Sequence, residues 1–215
     1  MEAARFERGG IPFDRRFALL DPDPLRAGKP LTGRKQHRLL AYRAAVRDDA
    51  VYVRTPSGAE HEASGGAWLR ELEADLGQRP VLHSGDEPVH DAADILVLNA
   101  ASLRAFSVEY GGFVNPIRFR PNVIVDGRDA NAFEELAWPG CEIAVGHAVL
   151  RASKTCERCV LTTVDPETLA VDPQVLKLVV QRHDALFGVY CTVVRAGDVR
   201  VGDDWTVSAD SEVSA

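Results

Sequence analysis

The chain has 215 residues, with 25 Lys and Arg against 32 Asp and Glu for a formal charge of −7, and it is 46% hydrophobic and 27% charged. That composition excludes disorder and collagen-like repeats, and a chain of this length can bury about 70% of its unfolded surface in one large or two small domains without a disulfide or metal staple. Its longest apolar runs, such as Ile95 to Leu98, fall far short of the ~20 residues of a membrane span, and its acidic balance argues against nucleic acid as a partner.

Met1 to Arg8 shows neither a basic-then-apolar signal segment nor an acid-poor transit segment, so a cytoplasmic location is expected. Arg16 to Leu20 reads as a strand stopped by Asp21-Pro22-Asp23-Pro24, where two prolines forbid continuation. Leu39 to Tyr42 and Ala50 to Val53 read as further strands, the second followed by a turn at Arg54 to Gly58, and strands at this spacing suggest a barrel or sandwich. A helix is predicted from Gly66 to Leu76, with Trp68, Leu69, Leu72 and Leu76 on one face, Ser64 as N-cap and Gly77 as stop. Ile95 to Leu98 reads as a buried strand and Ala101 to Tyr110 as a second helix ended by Gly111-Gly112.

Beyond Pro121 the pattern returns to strand at Val123 to Val125, Glu142 to Gly146, His147 to Arg151 and Cys159 to Val164. Val175 to Gln181 reads as a short helix, and Gly188 to Val194 with Val199 to Asp203 as a hairpin around Ala196-Gly197-Asp198. The last seven residues, Ala209 to Ala215, read as a frayed tail.

Two clusters carry chemistry. Arg118 and Arg120, read at a strand entry, would point to one side and with Asn122 could grip a phosphate through charge-assisted hydrogen bonds; surface pairing with carboxylates is the alternative. Cys156-Glu157-Arg158-Cys159 has C-x-x-C spacing, but the other two cysteines, Cys141 and Cys191, stand alone, which is weak for zinc. No helix is predicted to follow, which is weak for a redox pair. Cys159, preceded by Lys154 and Arg158, is either a soft metal ligand favoured as thiolate by those charges or a small buried hydrophobe. His90-Asp91 reads as a general-base pair or as a turn cap before the Ile95 strand, and the remaining histidines show no ligand spacing.

Taken in order, Arg118-Phe119-Arg120-Pro121-Asn122, Phe133-Glu134-Glu135 with Trp138, and Arg158-Cys159-Val160-Leu161-Thr162-Thr163-Val164-Asp165-Pro166 resemble the signatures of the MOSC family, the domain of molybdenum-cofactor sulfurase C-termini and of the amidoxime-reducing component. The resemblance extends over about residues 11–207, with Phe13 to Asp21, Leu31 to Gln36, His90 to Leu103 and Phe187 to Tyr190 with Val201 to Asp203 matching further segments. It implies an α/β, mainly β fold: an N-terminal β-barrel module over residues 1–85, a MOSC β-barrel over 86–207, a flexible tail over 208–215 and a few short helices.

The resemblance also implies a pterin-based molybdenum cofactor with Cys159 as the protein ligand to molybdenum. Arg120 and Asn122 would hold its phosphate and pterin, with Arg118, Arg34, Ser102 and Thr155 as further cofactor-binding residues. The activity implied is reduction of N-hydroxylated or N-oxygenated small molecules with electrons from an external flavin, haem or iron–sulfur protein. A non-redox sulfur carrier and a cofactor-free binding module are the alternatives. Family members usually begin with an extra strand whose Lys-Ser pair contributes to cofactor binding; this chain starts later, which implies either a different start site or a pocket open on that side.

Overall fold

Two interleaved stretches of the chain build two units, each with its own apolar core. In the computed structural model, which describes residues 2–23, 25, 28–85, 89 and 92–209, one unit comprises Met1–Pro12, His90–Thr163 and Asp172–Ala215, and the other Phe13–Val89 and Val164–Val171.

In the second of these, β2 (Phe17–Leu20) pairs with β6 (Val81–Ser84), and β3 (Arg43–Arg47), β4 (Ala50–Arg54) and β5 (Glu60–Glu62) form an antiparallel meander. Val51 and Val53 of β4 are buried with Trp68, Leu69 and Leu72, the period-two burial of a strand with one covered face. The helix α1 (Leu69–Leu76) is shorter than its apolar spacing suggests. Residues Ala63–Gly65 make a 3-10 turn and Gly66 is left-handed at φ 63, so the helix starts only at Leu69, without a side-chain cap and with Gly77 as its stop. Residues His37–Ala41 form a 3-10 turn rather than the expected strand. The strand lies just after it, in β3, whose five residues are all exposed and so carry no apolar alternation to betray them.

The larger unit is organised by a curled six-stranded sheet, a half-barrel. Its strand order is β13 (Trp205–Ser208), β9 (Glu142–Val145), β10 (Ala148–Glu157), β11 (Leu186–Arg195), β7 (Ile95–Asn99) and β8 (Val123–Val125). The mainly β architecture expected from the resemblance is thus present. All pairings are antiparallel except β7 with β8, which are joined through α2 (Ala100–Tyr110), since parallel neighbours need a crossover. All five residues of β7 are buried: Ile95 and Val97 face a cluster with Ile143, Leu150 and Val189, while Leu98 faces Phe106, Phe119 and Phe187. Covering both faces explains why this strand is apolar throughout.

Asn99 caps α2 by accepting from Ala101 N at 2.8 Å, and α3 runs Pro173–His183, longer than predicted, because Asp172 caps Gln174 N at 2.9 Å and a proline opens the first turn. Two further strand assignments are corrected. Residues Val160–Thr163 form a 3-10 turn, because Thr162 and Thr163 turn their hydroxyls back to the carbonyls of Cys159 and Val160 at 2.9 and 2.7 Å, a local bond that competes with strand pairing. The predicted hairpin after β11 does not form either: β12 (Gly197–Arg200) pairs with β1 (Ala3–Phe6). No helix among the described residues is long and apolar enough to cross a membrane.

Candidate cofactor site

The Arg118 to Asn122 segment is not a strand entry. Pro116–Phe119 is a 3-10 turn that ends at Arg120 in a left-handed conformation, φ 55 and ψ 47, so the period-two argument for a matched arginine pair does not apply. Each guanidinium has its own place. Arg118 Nη1 donates to the carbonyls of Thr163 and Thr162 at 2.8 and 3.4 Å. In the opposite direction, Arg158 Nη2 donates to the carbonyl of Phe119 at 2.6 Å, with its guanidinium 5.3 Å from the Phe119 ring centroid.

The turn carrying Arg120 and the turn following Cys159 are therefore tied by two arginine-to-carbonyl bonds running in opposite directions, and the 3-10 segments pack on each other. Arg120 immediately follows one acceptor residue and Cys159 immediately follows one donor residue. The backbone of Cys159 is held in addition by Thr162, whose N and Oγ1 donate to its carbonyl at 3.1 and 2.9 Å. Its side chain is half-buried and makes no hydrogen bond among the described residues.

The charge of Arg158 is aimed elsewhere than the sequence suggests. Its Nη1 donates to Cys156 Sγ at 2.8 Å, and Cys156 is 2% exposed. Burial and a hydrogen bond to Cys156 push the Tyr190 phenol up to about 12, and Lys154 Nζ lies 5.8 Å from the Tyr190 ring centroid. Both cations expected to favour a Cys159 thiolate thus serve the neighbouring Cys156 and Tyr190. Cys191 is fully buried and its thiol is pushed up to about 12 by that burial, which leaves it an inert part of the core.

Asn122 splices β8 onto β7: its N donates to the Leu96 carbonyl and its Oδ1 accepts from Leu96 N, both at 2.9 Å. Ser102 is fully buried, donates to Glu135 Oε2 and accepts from Phe133 N, both at 2.7 Å. Its hydroxyl is spent inside the core, where burial also raises the Glu135 carboxyl above its usual range. Thr155 stands on β10 opposite Val189 of β11. Arg34 belongs to the other unit, exposed in a turn closed by Lys35 and Gln36 donating to the Thr32 carbonyl. His90 and Asp91 lie outside the described residues. The structure thus brings Arg118, Arg120 and Cys159 together on one pair of turns, and adds Arg158, Cys156 and Tyr190. Arg158 had been legible only as a charge beside Cys159; its span across two segments is a tertiary fact.

Removing Arg158 should be felt strongly. Arg158→Ala leaves the carbonyl of buried Phe119 without its charged donor, and a loss of about 2–3 kcal/mol in unfolding free energy is expected, measured by urea denaturation. Arg158→Lys should recover only part of it, because a point charge cannot reach Cys156 and Phe119 in the fork geometry of a guanidinium.

The donor set suits one kind of metal. Among the described residues no three His, Cys, Asp or Glu side chains gather in the manner of a protein-caged ion. A single half-buried thiol with an exposed guanidinium on the adjoining turn fits a metal that arrives with its own organic, anionic ligand.

A model of the MOSC domain matches residues 81–206, more than half of the chain. Mitochondrial amidoxime reducing component 2 of Bos taurus is 32% identical over 126 residues, covering 53% of this chain and 36% of that protein. The Rattus norvegicus protein of the same name is 32% identical over 152 residues, 63% of this chain and 41% of that one. The match therefore spans well under half the length of these relatives. The YUAD protein of Bacillus subtilis has a similar fold, with a TM-score of 0.52 at 16% identity over 98% of this chain and 86% of that one.

Proposed function

Because the chain belongs to the MOSC domain family, we propose that it binds a molybdenum–pterin cofactor through Cys159 and reduces N-hydroxylated or related N-oxygenated compounds with electrons from an external donor protein. The observation that carries this reading is the half-buried thiol of Cys159 next to the arginine-tied turn that presents Arg120. The names of the amidoxime-reducing relatives support the substrate class.

In this reading the Cys159 thiolate is the soft protein ligand. Arg120, left-handed and exposed at the end of its turn, pairs with the cofactor phosphate by charge-assisted hydrogen bonds. Asn122, whose Oδ1 is held by Leu96 N, stands beside that turn as the residue that contacts the pterin. Arg118 and Arg158 do not touch the cofactor; they hold the two turns at a fixed separation, the kind of support that keeps a ligand within the narrow tolerance a metal site requires. When bound, the cofactor supplies the two-electron redox chemistry that converts an N–OH group and two protons into N–H and water, while the protein supplies binding and orientation.

The test is turnover by protein produced in a host that makes the cofactor, reduced with a chemical electron donor and offered benzamidoxime, with benzamidine quantified by mass spectrometry. Benzamidine formation in proportion to bound molybdenum is expected. Molybdenum-loaded protein that leaves benzamidoxime and simple hydroxylamines unchanged would overturn the activity, and cyanide-releasable sulfur on Cys159 in its place would favour a sulfur carrier.

A further inference from the structure

In the unit that contains the β3–β4–β5 meander, β3 is an outer strand, and all five of its residues, Arg43–Arg47, are exposed. A two-residue turn joins it to β4: Asp48 and Asp49 are both left-handed, at φ 48 and 59. This is the type I′ geometry that closes on its flanking residues, here Arg47 and Ala50, as a hydrogen-bonded pair. We infer that the outer edge of β3 takes one extended segment of an acidic partner polypeptide. The segment adds as a fourth strand, with carboxylates against Arg43 and Arg47 and apolar side chains against Ala44 and Val46.

The turn fixes which backbone groups face outward. With Arg47 and Ala50 a hydrogen-bonded pair, alternation makes Ala45 with Tyr52 and Arg43 with Arg54 the next such pairs. The far side of β4 agrees. There Thr55 N donates to the Ala59 carbonyl at 2.9 Å, which sends the N–H and C=O of Thr55, Val53 and Val51 toward β5 and those of Arg54, Tyr52 and Ala50 toward β3. The N–H and C=O of Ala44 and Val46 therefore point away from the sheet, and none of the four has a hydrogen-bond partner among the described residues. At one end Tyr42 N is already used by the Leu39 carbonyl, and at the other the chain turns at Asp48. The edge thus offers two donors and two acceptors to a short strand.

The two faces specify the occupant. Ala44 and Val46 stand opposite Val53 and Val51, which are buried with Trp68, Leu69 and Leu72. This face therefore continues the apolar layer past the core and leaves Val46 46% exposed. On the other face Arg43 stands directly opposite Arg54, and like charges so placed repel. Glu60 is opposite Arg54 on its far side but is bonded to Arg47, and Glu62 is engaged by Ser64. Arg43 Nη2 donates to the neutral carbonyl of Pro166 at 2.8 Å and makes no ion pair among the described residues. An incoming carboxylate beside Arg43 offsets that repulsion. A second copy of the chain, in the register that makes all four bonds, would instead set Arg43 of each against Arg47 of the other, so the edge favours an acidic partner over itself.

The probe is the acetylated, amidated pentapeptide Glu-Val-Thr-Val-Glu, titrated into the isotope-labelled full chain. Saturable shifts of the Ala44 and Val46 amide resonances, half complete at or below about 1 mM peptide, are expected, with slowed amide exchange at both. Methylating both valine nitrogens removes the donors that complete the ladder and should abolish binding, whereas methylating the threonine nitrogen, which points away from β3, should not. Lys-Val-Thr-Val-Lys should bind about tenfold more weakly, and Arg43→Glu combined with Arg47→Glu should reverse that preference. Absence of saturable shifts, equal binding of the valine-methylated peptide, or saturation without exchange protection would overturn strand addition. Equal affinity of the unaltered chain for the glutamate and lysine peptides would overturn the acidic partner. Protection of the same amides without peptide, rising with protein concentration, would assign the edge to a second copy of the chain and overturn the partner segment.

Discussion

Cys159→Ser is expected to lower the molybdenum content of protein purified from a cofactor-producing host by more than about tenfold, since even outer-shell partners of a metal commonly contribute 10- to 100-fold to affinity. The hydroxyl that replaces the thiol is a hard donor of high pKa, ill suited to the place of a soft thiolate. Stability should hardly change, within about 0.5 kcal/mol, because the Cys159 side chain is half-buried and its turn is held through its carbonyl. Cys156→Ser should behave in the opposite way. That thiol is buried and accepts from Arg158, so its loss should lower the unfolding midpoint while most of the metal is retained. Elemental mass spectrometry beside urea denaturation of both variants reads the difference. Full metal content in the Cys159 variant would remove Cys159 as the ligand.

The largest loss of stability is expected from a residue with no chemistry at all. A Cβ on Gly197 would stand 2.3 Å from both C and O of His147 and 2.6 Å from N of Ala148, and all three are backbone atoms in the turn between β9 and β10. No rotamer change relieves such a contact, so Gly197→Ala must displace either β12 or that turn. An overpacking cost of about 3 kcal/mol is expected, with faster amide exchange along the β1–β12 pair, whose register places Gly197 opposite Phe6. Gly65→Ala is the control, since nothing lies within 4 Å of its Cβ position and its φ is ordinary; it should be neutral. Equal stability of the two variants in urea would contradict the packing of β12 described here.

Much of the larger unit could be read from local pattern. Ile95 to Leu98 announced a buried strand because both faces of β7 are covered, and Gly111 ended α2 because only a left-handed residue, here at φ 82, closes the helix in that way. β1 and β13 went unread. They are four residues each with mixed burial, and what makes them strands is partners in β12 and β9 that are far away along the chain. Long-range pairing leaves no local period to detect.

The candidate site divides along the same line. Residue types and their order made Cys159, Arg120 and Asn122 the candidates, because a soft thiol and a guanidinium keep their chemistry wherever the chain puts them. The roles of the other arginines were not legible. Arg118 spends its charge on the carbonyls of Thr162 and Thr163, and Arg158 on Phe119 and Cys156. Those acceptors are backbone carbonyls and a thiol about 40 residues away or just two, and which of them a guanidinium meets depends on a left-handed turn at Arg120 and a 3-10 turn after Cys159. The sequence by itself determined the chemical inventory and the apolar periods. Only the tertiary structure decided which charges are consumed in holding the site and which face outward, because hydrogen-bond geometry acts over a few ångströms in space and is blind to distance along the chain.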